Sequence, residues 1–154
     1  MNKTIIDRLK KHTADNLVLW VKFHNLHWNL RGRQFKAVHE MTEAYYDELA
    51  EDYDAIAERL VQLKAVPPVT LAESLSLSSF PELSKSSFAV EDVLRLVKED
   101  FEQLLSQYRE TRKLAADAGD STTEAFFVDA VARLEKQLWM LDASLAEHGA
   151  PKGY

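Results

Sequence analysis

Only four glycines and four prolines interrupt this chain of 154 residues, and where they fall constrains its fold more than any other feature. Gly32, Gly119 and Gly149 each follow an apolar-periodic stretch, at the place where a helix C-terminus favours a residue that tolerates a left-handed backbone. Pro151 then bars continuation. The first stretch, from about Thr4, carries Leu9, Thr13, Leu17, Trp20, His24 and His27 at steps of three and four. The second carries Val38, Thr42, Tyr45, Leu49, Tyr53, Ile56, Leu60 and Leu63. A third reads Val90, Val93, Val97, Phe101, Leu104, Tyr108, Thr111 and Ala115, and a fourth Phe127, Val131, Leu134, Leu138, Leu141 and Leu145. None alternates with period two, so four long helices and no strands are expected.

The joins set the topology. Gly32-Arg33-Gln34 and Gly119-Asp120-Ser121 are short enough to force antiparallel neighbours, and Ser121 with Glu124 forms a capping-box pattern that opens the last helix. From Ala65 to about Ser87 the chain holds Pro67, Pro68, Pro81, seven serines and a Thr70-x-x-Glu73 capping signature. Two hairpins joined by one long crossover define a ferritin-like four-helix bundle, all-α, with a short extra helix between the second and third helices. The 154 residues, 46% of them apolar, are expected to form a single domain.

Composition narrows the chemistry. There is no cysteine, which excludes disulfide frameworks, thiolate metal sites and cysteine nucleophiles, so any metal must rest on histidine and carboxylate. Nineteen Lys and Arg against 25 Asp and Glu give a formal charge of −6, which argues against a protein held to nucleic acid mainly through phosphates. No run of 18 apolar residues exists, and the opening MNKTIIDRLKKH lacks the pattern of a signal peptide, so a soluble cytoplasmic protein is expected.

Three of the five histidines fall in the window FHNLHWNLRGRQFKAVHEMTE. His24 and His27 end the first helix; His39 and Glu43 lie one turn apart on the second, with Asp54 and Glu58 again four apart further along. Residues four apart share a helix face and can converge on one ion, and imidazole with carboxylate suits a first-row metal such as iron. Taking about 100° per residue with His39 at zero, Glu43, Asp54 and Glu58 fall at about 40°, 60° and 100°, whereas the apolar stripe lies between about 240° and 320°. Ala50, Ala57 and Val61 share the ligand sector, and a face of that kind invites a second helix. Asp54 stands about 22 Å beyond His39, too far for one chain to close the set. Two copies packed antiparallel about a two-fold axis near residues 48 and 49 would set His39 and Glu43 of one chain opposite Asp54 and Glu58 of the other, with His27 adding a ligand from the side. The Glu-x-x-His pairs of the usual ferritin-like site inside one chain are absent from the sequence.

The segments HWNLRGRQFKAVHE, DAIAERLVQL and LEKQLWML resemble the Dps family of miniferritins over nearly the whole chain. The resemblance implies a hollow shell of twelve subunits that oxidises Fe(II), preferentially with hydrogen peroxide or else with O2, at a two-iron intersubunit site, and stores Fe(III) mineral inside. By position His27, His39, Asp54 and Glu58 match the family's ligands, whereas Glu43 stands where the family usually has Asp. The resemblance also assigns Trp28 a role in quenching oxidising equivalents and places an acidic three-fold pore near Asp117, Asp120, Glu124 and Asp129. Tyr45 and Tyr53 are expected in the core, and His12 and His148 have no ligand partner at useful spacing. The rival function, nucleoid compaction through DNA, calls for a mobile basic tail; here Lys3, Arg8, Lys10 and Lys11 enter the first helix together with Asp7, and no strong DNA binding is expected near neutral pH.

Overall fold

A computed structural model of the chain describes residues 2–146; His148, Gly149 and Pro151 lie outside the described residues. Its elements are α1 Lys3–Asn29, β1 Leu30–Arg31, α2 Phe35–Gln62, α3 Leu71–Leu77, β2 Phe88–Ala89, α4 Val90–Asp117 and α5 Ser121–Leu145. The hairpins α1/α2 and α4/α5 pack into a four-helix bundle, and the crossover carries the short α3. Among the described residues no helix is long and apolar enough to cross a membrane.

Helix ends follow local chemistry. The Asn2 side chain accepts from the Thr4 amide and starts α1. At the end of α4, Gly119 (φ 70°) lets the Asp120 and Gly119 amides close back on the Ala115 and Ala116 carbonyls. The same closure ends α2, where Lys64 takes the left-handed position (φ 59°) without being glycine. The cap of α5 sits one residue earlier than the Ser121 pattern predicts: Asp120 accepts from the Thr123 amide and hydroxyl. The predicted cap of α3 is present, with Thr70 accepting from Glu73 N and the Glu73 carboxylate accepting from Val69 N.

Two strands were not expected. Leu30 and Arg31 pair in parallel with Phe88 and Ala89, where the chain leaving α1 meets the chain entering α4. Two residues are too few to display alternation. The stripes of α4 and α5 are buried as predicted, apart from half-buried Leu145, but that of α1 lies elsewhere than the three-and-four steps indicated. Trp20 is exposed and Leu17 and His24 are half-buried, whereas Leu19, Phe23 and Leu26 are fully buried. α1 is covered on more than one side, by α2 and α4 and also by α3, so no single narrow stripe describes it. Of the two core tyrosines expected on α2, Tyr45 is buried and Tyr53 is half-buried.

Polar groups bind the crossover to α1. The buried Asp15 carboxylate accepts from Ser78 Oγ (2.9 Å) and the Ser79 amide (2.7 Å) and pairs with Lys11 (3.0 Å), while Asn25 Nδ2 donates to the Leu83 and Lys85 carbonyls. Lys22 and Asp100, both buried, join α1 to α4 at 2.7 Å. Deeper still, His12 Nε2 donates to Thr111 Oγ1 (2.7 Å), whose own hydrogen goes to the Gln107 carbonyl, and the imidazole lies against the Tyr108 and Phe127 rings.

Burial pushes the His12 imidazole from its ordinary 6.5 down to about 3, helped by the charges of Lys11 and Arg8. A depressed histidine stabilises the fold above the unfolded pKa and loses that contribution as pH falls from 6.5 toward 3. Asp52, pushed up to about 6 by burial, has the opposite slope over the same window. The stability difference between the wild type and His12→Gln is therefore expected to shrink by about 2 kcal/mol between pH 7.5 and 5. Urea unfolding at each pH measures it, and a pH-independent difference would contradict the buried neutral assignment.

Candidate metal centre

The turn through Gly32 and left-handed Gln34 is tight enough to lay the last turn of α1 against the first turns of α2. Two histidines meet there. The His27 and His39 rings stack at 3.6 Å with 20° between their planes. His27 Nδ1 donates to the His39 carbonyl (2.9 Å), and His39 Nδ1 donates to the His27 carbonyl (3.0 Å). With each Nδ1 hydrogen committed to a carbonyl, each Nε2 holds a free lone pair, the arrangement that prepares an imidazole for a metal. Thr42 Oγ1, back-bonded to the Val38 and His39 carbonyls, lies 3.2 Å from His27 Nδ1. His27 is only 6% exposed. Burial lowers its pKa below 6.5, the bond to the His39 carbonyl opposes that, and the neighbouring His39 lowers it further.

Glu43 stands one turn past His39 and is exposed; its charge opposes in part the lowering of the His27 pKa and adds to burial in raising that of Tyr46. Asp54 and Glu58 are exposed further along α2, and the sector they share includes exposed Ala50, half-buried Ala57 and exposed Val61. The structure thus brings His27 to His39, with Glu43 nearby, and leaves Asp54 and Glu58 at the far end of the same helix. Among the described residues no three His, Cys, Asp or Glu side chains gather to hold a metal ion. Chemically, a single chain offers two oriented nitrogens and a nearby carboxylate, which is half of a coordination sphere.

Aromatic groups wall this junction. His24 Nδ1 donates to the Trp20 carbonyl (2.8 Å), and its ring stacks on Tyr46 at 3.8 Å, between Trp20 and exposed Trp28. Tyr46 sets its edge toward the His27 ring at 5.2 Å. Among the acidic residues considered for a pore, Asp117 pairs with Lys113 and Asp120 with Arg59, while Asp129 is exposed and Glu124 half-buried. Burial would raise the Asp120 pKa, but bonds from Thr123 and the Arg59 guanidinium outweigh it and hold the carboxyl below its usual value. The sequence placed Thr42 on the core stripe of α2 and gave neither it nor Arg59 a part in the site. A hydroxyl on an otherwise apolar stripe, three residues after a candidate ligand, was the available signal for the first.

Residues 6–148 match the ferritin-like domain family. The DNA protection during starvation protein of Helicobacter pylori is 41% identical over 138 residues, covering 90% of this chain and 96% of that protein. Among solved structures, the crystal structure of antigen TpF1 from Treponema pallidum superposes with a TM-score of 0.93 at 41% identity, covering 94% of this chain and 93% of that one. A Dps protein from Vibrio cholerae, described as a member of a broad superfamily of ferritin-like diiron-carboxylate proteins, superposes with a TM-score of 0.89 at 28% identity, covering 94% and 90%. The chain belongs to the ferritin-like family, in its Dps branch.

The His27 imidazole is expected to titrate below 6.5, because burial disfavours its charged form. Hydrogen–deuterium exchange at the histidine C2 position, followed by mass spectrometry across pH, reads this directly. A midpoint at or above 6.5 would contradict the buried, carbonyl-clamped geometry.

Proposed function

We propose that this protein is a ferroxidase and iron store: it oxidises Fe(II) with hydrogen peroxide at a site shared between two subunits and keeps the Fe(III) inside a shell of twelve. The observation that carries the reading is the reciprocal clamp of His27 and His39, which orients two Nε2 lone pairs beside exposed Glu43, while among the described residues no group of three His, Cys, Asp or Glu side chains could hold a metal. Membership of the Dps branch and the diiron-carboxylate description of the Vibrio cholerae neighbour support it. Asp54 and Glu58 of a second copy supply the missing carboxylates, whose negative charge offsets the repulsion between two cations held close.

Peroxide takes two electrons. Two Fe(II), one hydrogen peroxide and two protons give two Fe(III) and two waters, so holding two Fe(II) together removes the need for a one-electron step that would release hydroxyl radical. The protein's share is placement: His27 and His39 fix nitrogens on one side, and the exposed carboxylates of α2 close the site from the other. Glu43 keeps the charge of the usual Asp with an arm one methylene longer.

DNA protection, the function in the name of the Helicobacter pylori relative, follows on this reading from removing Fe(II) and peroxide together rather than from coating DNA. The net charge of −6 per chain opposes phosphate. Retarded DNA in a salt-sensitive gel shift at submicromolar protein would contradict this.

An anaerobic Fe(II) titration followed by a peroxide pulse tests the function. The expected result is two Fe(II) oxidised per peroxide, with Asp54→Asn and Glu58→Gln each slowing oxidation at least about tenfold, the scale seen even for residues that merely support metal ligands. Glu43→Ala is expected to slow it as well, and an unchanged rate would remove Glu43 from the site. Oxidation by the wild type no faster than in buffer would overturn the proposal.

A further inference from the structure

We infer that Thr42 is a positioning residue that holds His27 in the metal-binding tautomer; the inference rests on the metal-centre reading above and deepens it. Thr42 lies on the face of α2 turned toward α1 and is 1% exposed, whereas on the same turn His39 is half-buried and Glu43 is exposed. An apolar residue of the same size would serve packing there, and a β-branched hydroxyl gains nothing in helix propensity over it. The hydroxyl is explained by its bonds.

Thr42 Oγ1 lies 3.0 Å from the Val38 carbonyl and 2.9 Å from that of His39, so its single hydrogen is given to its own helix. What it presents to α1 is lone pairs, and the donor facing them is His27 Nδ1 at 3.2 Å. That N–H therefore sits between two acceptors, the His39 carbonyl at 2.9 Å and Thr42 Oγ1, in a three-centre bond. Moving the hydrogen to Nε2 would turn the Nδ1 lone pair toward the oxygens. Two acceptors on different atoms also restrict rotation of the ring, which one alone does less well. His39 has a single acceptor for its own Nδ1, the His27 carbonyl, and is half-buried. The threonine thus supports the more buried of the two imidazoles and raises the basicity of its free nitrogen.

The test uses Co(II), a divalent probe with visible absorption, titrated anaerobically into the assembled wild type, Thr42→Val, Thr42→Ser and a His27→Ala control. Thr42→Val keeps the shape and removes the acceptor. It is expected to weaken Co(II) binding about tenfold and to alter the d–d absorption while leaving the thermal midpoint near that of the wild type, and Thr42→Ser is expected to restore both. Should the valine variant not assemble, Thr42→Ala against Thr42→Ser makes the same comparison. Valine binding Co(II) as the wild type does, or serine failing to restore what valine loses, would overturn the role of Thr42 alone. A wild type that binds no more Co(II) than His27→Ala would overturn the metal centre and this inference together.

Discussion

An α-helix advances about 1.5 Å per residue and does not fold back on itself, so ligands fifteen residues apart on one helix stand about 22 Å apart whatever surrounds them. α2 carries His39 and Glu43 near one end and Asp54 and Glu58 toward the other, and runs unbroken between them. The rigidity of that one helix separates the donors into two halves. What the rest of the chain does is hold each half ready: the turn at Gly32 and Gln34 brings α1 against the His39 end, and Arg59, paired to Asp120 and bonded to Thr123, ties the Glu58 end to the start of α5.

Polar groups buried in the bundle have structural duties distinct from the candidate metal centre. Asp15 and Asn25 fasten the returning crossover along α1, and Lys22 with Asp100 joins the two hairpins through a buried ion pair. Removing one partner of the Lys22–Asp100 pair leaves an uncompensated buried charge and costs about 3–5 kcal/mol. His12 belongs with them. Neutral, bonded to Thr111 and walled by Tyr108 and Phe127, it occupies the middle of the bundle, where a one-chain ferritin-like site would need converging carboxylates.

The four helices, their order and the single crossover could be read from periodicity and from the placement of Gly32, Gly119 and the prolines, because those signals are local. The stripe of α1 could not, since the crossover returns along a second side, where Ser78 and Ser79 bond the buried Asp15, and Lys22 is buried against Asp100 of α4. The end of α2 near Leu63 was legible from the stripe and the prolines that follow, but not how it closes: a lysine, Lys64, adopts the left-handed turn that usually selects glycine. At the candidate centre, the spacing of His39 and Glu43 was visible, as was the nearness of His27 across a short turn. The carbonyl clamp and the acceptor role of Thr42 depend on ring orientation across two helices, and no pattern along one helix encodes that.

In the proposed assembly each site draws His27 and His39 from one subunit and Asp54 and Glu58 from another. Complementation measures this most directly. Chains carrying His27→Ala with His39→Ala, and chains carrying Asp54→Asn with Glu58→Gln, are unfolded together, mixed in equal amounts and reassembled. Each mixed pair then contains one site with all its ligands and one with none of the four, so random pairing restores about a quarter of the wild-type rate of Fe(II) oxidation from two inactive parents. A mixture as inactive as its parents, with reassembly verified, would contradict the shared site.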